Sequence, residues 1–121
     1  MFVFDTNAII YYLAGREAMV RFVYEQRDAL FFVPAIVAAE FFSYPLLDGV
    51  TRSLFGKFLN DVVVVNLDLE VAQRAGHLRT RYGVKLLDAI VAASVLITGS
   101  VLITYNTADF QRIPDLHILS P

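Results

Sequence analysis

From Ala89 to Tyr105 the chain carries no charged residue, and a run this apolar must leave water. It is shorter than the roughly 20 residues a membrane-spanning helix requires, and Thr98, Gly99 and Ser100 divide it. The pattern predicts a buried helix over Leu86–Ile97, a turn, and a strand over Val101–Thr104, so no membrane association is expected. The remainder alternates in the same way. Phe2–Phe4 reads as a short strand closed by Asp5, Thr6 and Asn7, all residue types that cap helices. Helices are expected over Ala8–Leu13, Glu17–Arg27, Ile36–Leu47 and Thr51–Asn60. A strand over Leu30–Val33 is stopped by Pro34. Val62–Val65 is a β-branched run of the kind buried on both faces of a sheet. Asp68 caps a helix whose stripe of Val71, Ala75, Leu78 and Tyr82 ends at Gly83, and Leu116–Leu119 reads as a last short strand. Alternating strands and helices predict an α/β fold, a parallel sheet with helices on both faces, in one domain over residues 1–121.

In such sheets ligands gather beyond the carboxyl ends of the strands. That rule selects Asp5, directly after the first strand, and Asn106, just after the strand that begins at Val101. The absence of cysteine excludes disulfides, thiolate metal sites and cysteine nucleophiles; it is compatible with cytoplasmic residence. Asp5 interrupts the apolar start and no basic segment precedes it, so no secretory signal is expected. With a net charge of −2, no global positive field draws in nucleic acid, and any such binding must rest on local cations or metal ions.

Four acids stand out. Asp5 serves equally well as a helix cap, Asp88 as a first-turn acid favoured by the helix dipole, and Asp109 as the partner of Asn106 in a local capping arrangement. Glu40 is harder to dismiss. It lies among Ile36, Val37, Ala38, Ala39, Phe41 and Phe42, and no Lys or Arg occurs between Asp28 and Thr51. A carboxylate buried there costs several kcal/mol, roughly, unless something pairs with it; either Glu40 points to solvent from an apolar helix or its partner comes from elsewhere, and a metal ion is a candidate for that partner. Converging carboxylates without a cation repel one another; hard divalent ions such as Mg²⁺ and Mn²⁺ take oxygen ligands and resolve the conflict. His77 and His117 are isolated and form no zinc spacing. Arg74, Arg81 and Lys85 fall at helical spacing if the helix continues, with Arg79 beside them. They are candidates for RNA phosphate contacts, or simply a solvated face.

Phe4-Asp5-Thr6-Asn7, the helix bearing Glu40, the run Leu87–Ala93 and the segment Thr104–Phe110 resemble, in order and spacing, the PIN domain. Within it they resemble the VapC-type toxin ribonucleases of bacterial and archaeal toxin–antitoxin pairs. The resemblance covers nearly the whole chain. It implies a three-layer α/β/α sandwich, dependence on Mg²⁺ or Mn²⁺, and endonucleolytic cleavage of RNA. It implies that Asp5, Glu40, Asp88 and the more variable Asp109 are the catalytic, metal-site acids. Thr6, Thr104 and Asn106 match supporting polar positions. It further implies a homodimer and a small antitoxin that blocks the site. A PIN nuclease of general RNA processing would carry the same residues, and a non-catalytic binding module is the alternative outside enzymes. A phosphatase of the haloacid-dehalogenase type would need a second Asp at position 7, where this chain has Asn7.

Apolar residues make up 57% of the 121, more than one small domain can hide. Phe31, Phe32, Phe41, Phe42 and Tyr44 cluster around the second strand and its helix, and Tyr11 and Tyr12 sit on the first helix. Some of them are expected at the surface, covered by a second copy or by an antitoxin whose basic side chain reaches the acids.

Overall fold

The computed structural model describes residues 1–45 and 47–121. Five short strands form one parallel sheet: β1 (Phe2–Phe4), β2 (Phe31–Pro34), β3 (Val63–Val65), β4 (Val101–Ile103) and β5 (Ile118–Leu119). Their order is β3-β2-β1-β4-β5. The helices α1 (Thr6–Leu13), α2 (Glu17–Glu25), α3 (Ala35–Phe42), α4 (Gly49–Asn60), α5 (Leu69–Tyr82) and α6 (Leu86–Thr98) flank it. The first strand lies in the middle, with Phe2 opposite both Phe31 and Val101. The sequence proceeds outward from β1 through β2 to β3, then returns to add β4 and β5 on the other side. The order therefore reverses between β1 and β4, and at such a switch point the two connections diverge and leave a crevice at the strand ends.

The uncharged run behaves as its composition requires. From Ala89 to Val95 every residue of α6 is buried, because α6 packs against β1, β2 and β4 while α5 packs along it. Gly99 ends the helix with φ +64°, in the left-handed region that glycine enters without a steric penalty. Val3, Phe4, Val33, Leu102 and Ile103 form the sheet's share of the core. An aromatic group extends that core toward α3 and α4. Phe4 stacks on Phe31 at 5.3 Å and meets Phe58 edge-on at 5.4 Å, while Phe41 stacks on Phe55 at 4.0 Å.

Several boundaries and one burial assignment differ from expectation. The Val62–Val65 run does form a strand, but β3 is an edge, and Val63 and Val64 are 44% and 40% exposed. β-branched residues favour extended backbone wherever the strand lies, so they do not reveal its place in the sheet. The Ile36–Leu47 helix stops at Phe42, since Pro45 disfavours helical backbone at the residue before it. Helix α4 begins earlier than Thr51, because Asp48 caps it by accepting from the Thr51 amide at 2.7 Å. Asp68 and Gly83 bound α5 as expected: the carboxylate accepts from the Val71 amide at 3.0 Å, and Gly83 takes φ +67°. That left-handed residue also breaks the expected continuation from Arg81 to Lys85, so Lys85 starts α6 instead of prolonging the basic row of α5.

Phe55 is fully buried and joins α4 to the helix that carries Glu40. Phe55→Ala is expected to lower stability by about 3–5 kcal/mol, measured as a shift of the urea midpoint at unchanged slope.

Candidate active site

Asp5 leaves the end of β1 at the switch point and is 7% exposed. Its carboxylate accepts from the Thr6 amide at 2.8 Å and the Thr104 hydroxyl at 2.9 Å, with the Asn7 side-chain amide at 3.4 Å. It is thus both the cap of α1 and a member of a wider network. Thr104 follows β4, the neighbouring strand, so the hydroxyl and the carboxylate meet because their strands are paired. The same hydroxyl accepts from the Asn106 amide at 3.0 Å and from Asn7 at 3.3 Å. Asn7 in turn accepts from the Tyr105 amide at 2.9 Å. The proton and both lone pairs of the Thr104 hydroxyl have partners, which holds Asp5 in one orientation.

These groups line a cavity of about 320 Å³ that also receives Glu40 from α3, Asp88 from the first turn of α6, and Asp109 from the turn after β4. The four acids singled out in the sequence therefore face one space. Thr104 takes its expected supporting place. Thr6 is different: its backbone amide holds Asp5, while its hydroxyl oxygen is buried without a partner. Asn106 lines the cavity and contributes its backbone amide to Thr104. Of the basic candidates Lys85 reaches the cavity, whereas Arg74, Arg79 and Arg81 are exposed on α5. His77 and His117 are exposed and neither lines the cavity. Sequence reasoning overlooked Asn7 and Tyr44 as cavity residues. An Asn after a cap reads as a second cap, and nothing local marks Tyr44 as facing the acids.

Burial is the main cause that raises the pKa of Asp5; Glu40 and Asp109 raise it further, against the bonds from Thr6 and Thr104. Asp88 is pushed up to about 6, again chiefly by burial, then by Asp109 and Asp5, with Lys85 opposing. Burial raises the Tyr44 phenol, and so do the nearby Glu40 and Asp5. Negative charge has thus been brought together without enough positive charge to balance it. Among the described residues no group of three acids or histidines is gathered tightly enough to grip a bare ion. Carboxylates and amide oxygens dominate the donors instead. That set suits a hard divalent ion that keeps part of its water shell.

The chain is thus an α/β protein with a parallel sheet and an acid-lined crevice at its switch point. The profile of the PIN domain family matches residues 2–116, and the chain belongs to that family. It is 30% identical over 89 residues to Ribonuclease VapC19 of Mycobacterium tuberculosis, covering 67% of this chain and 71% of the relative. Its fold is similar to that of a toxin–antitoxin complex from Klebsiella pneumoniae, with a TM-score of 0.76, 26% identity, and coverage of 100% of this chain and 98% of the other. It is also similar to VapBC2 from Rickettsia felis bound to a DNA fragment from their promoter. There the TM-score is 0.85 at 20% identity, over 98% and 96% of the two chains.

The raised pKa of Asp88 has a thermodynamic consequence. Above about pH 6 the folded chain carries the cost of its ionised form. As pH falls from about 6 toward the ordinary value of 3.8, the folded state takes up a proton before the unfolded state does and that cost is relieved. The metal-free protein should therefore unfold at a higher temperature at pH 5 than at pH 7. Asp88→Asn should raise the pH 7 midpoint by a few degrees and flatten this dependence, as read by calorimetry in chelator.

Proposed function

We propose that this chain is a Mg²⁺- or Mn²⁺-dependent endoribonuclease and the toxin of a toxin–antitoxin pair. One observation carries the reading: four carboxylates from four separate segments border one cavity and burden one another electrostatically. Family membership and the similarity to a ribonuclease support it.

On this reading Asp5, Glu40, Asp88 and Asp109 hold the ion, in part through water. Such an ion, when bound, supplies Lewis acidity that eases ionisation of water and screens charge developing on a phosphodiester. The protein contributes orientation. Thr104 and the Thr6 amide fix the Asp5 carboxylate, so no rearrangement is needed as charge develops. Lys85 offers a positive charge to the RNA backbone beside Asp88. Asn7 and Asn106 border the same space with amide groups able to donate to water or phosphate oxygens.

An apolar groove of about 570 Å³ adjoins the acids, lined by residues including Ile10, Leu13, Phe41, Leu47 and Leu54. Tyr44 borders both spaces. Phe42, Tyr44 and Tyr11 are exposed, whereas Phe31 and Phe41 are core residues, so only part of the aromatic surplus is left for partners. The groove fits an apolar antitoxin segment, with a basic side chain passing Tyr44 into the acidic cavity to neutralise it. A second copy of the chain would cover further apolar surface in a two-fold dimer.

Single-stranded RNA should be cleaved in Mg²⁺ and left intact in excess chelator. Asp5→Asn or Asp88→Asn should lower the rate by more than about 100-fold, and Thr104→Val by about 10–100-fold, as expected when a partner that orients a metal-site acid is lost. Gel analysis of labelled RNA checks this; cleavage persisting in chelator rejects the metal mechanism. Leu54→Asp should abolish antitoxin binding in a pull-down while leaving cleavage intact; retained binding rejects the groove as the docking site.

A further inference from the structure

A second, smaller cavity of about 170 Å³ opens beside the acidic one and shares Lys85, Asp88 and Asp109 with it. Its far wall is Arg112, whose guanidinium donates to the Gly83 carbonyl at 3.4 Å, the long end of hydrogen-bond range. Five of the ten Lys and Arg side chains are engaged with an acid or an aromatic ring. Arg21 pairs with Glu17 at 2.6 Å, the one ion pair among the described residues. Arg16 lies over Tyr11 and Tyr105, Arg27 over Tyr24, Arg52 over Phe42 and Arg81 over Tyr82. Lys57, Arg74, Arg79, Lys85 and Arg112 have no such partner among the described residues, and of these Lys85 and Arg112 share a cavity with Asp88 and Asp109. Lys85, and Arg112 with one long bond to a carbonyl, border a polar hollow whose other charges are Asp88 and Asp109; a guanidinium so placed has donors left over and can hold phosphate through two parallel bonds.

We propose that Lys85 and Arg112 form a phosphate subsite that binds the RNA backbone one position from the phosphodiester at the acids. The proposal rests on the nuclease reading and adds the path of the substrate: from the acidic cavity across Lys85 to Arg112, along the side of Asp88 and Asp109. Contacts of this kind fix register without reading bases, so the subsite serves any single-stranded RNA equally. Arg112 is a substrate-binding residue here; Gly83, whose left-handed turn brings its carbonyl to Arg112, is a positioning residue.

The test is binding of a dye-labelled single-stranded RNA oligomer by anisotropy in chelator over a range of salt, with cleavage kinetics in Mg²⁺ run in parallel. Arg112→Gln and Lys85→Gln should each weaken binding by roughly 10-fold and reduce the slope of log K against log salt by about 0.7, one single-strand phosphate contact. In cleavage they should raise KM more than they lower kcat. Arg112→Lys should keep the salt slope, which a purely structural tie to Gly83 would not require. Should Arg112→Gln prove unstable on heating, Lys85→Gln, on an exposed side chain, carries the test alone. A chain that cleaves RNA while both variants retain the wild-type slope and KM overturns the subsite and leaves the nuclease reading standing. A chain that binds with the altered slopes but cuts nothing upholds the subsite and removes the nuclease. A chain that neither binds nor cuts overturns both.

Discussion

The bond from the Thr104 hydroxyl to the Asp5 carboxylate ties the site to the sheet. It exists because β1 and β4 are hydrogen-bonded neighbours in register, Phe4 opposite Ile103. That pairing depends on α6 being apolar enough to lie against β1 and β4 with α5 along it. A polar substitution inside α6 would disturb the strands whose ends hold Asp5 and Thr104. The apolar run and the acidic cavity are two parts of one arrangement. The first supplies the energy that holds the strands together, and the second uses their ends to keep like charges close.

That closeness carries an electrostatic cost, which a bound cation would offset. Acids raised by burial and by one another bind a cation better than dispersed surface acids do, because binding relieves repulsion that folding imposed. The Thr6 amide and the Thr104 hydroxyl oppose the rise at Asp5, and Asn7, bonded to Thr104, helps to keep the carboxylate in place. The site is therefore tense in charge but settled in geometry.

Much of this was legible in the sequence. Asp5 and Asn106 follow apolar strands, Glu40 interrupts an apolar helix, and the uncharged run announces α6; Thr104, read as the last residue of its strand, lies just beyond β4. What escaped was whatever depends on the path of the chain between elements. Gly83 turns the backbone at φ +67°, so Lys85 leaves the row of Arg74 and Arg81 and joins Arg112, far along the chain in a segment with no distinguishing pattern. Asn7 looked like a cap because its partners, Thr104 and Tyr105, lie almost a hundred positions away. The exposure of β3 escaped for a related reason: composition distinguishes a strand from a helix but not an edge from a centre.

The central place of β1 also bears on the time at which the cavity can exist. Asp5 and Thr104 are separated by 99 positions. At synthesis rates of about 5–20 residues per second, Asp5 waits on the order of 5–20 s for the hydroxyl that orients it. Through that interval β1 has β2 on one side and an open edge on the other. A ribosome-bound fragment carries Asp5 and Glu40 but has neither the β4 partner nor Asp88 and Asp109. A fragment that ends before Asp88 thus cannot perform any chemistry that needs the whole cavity.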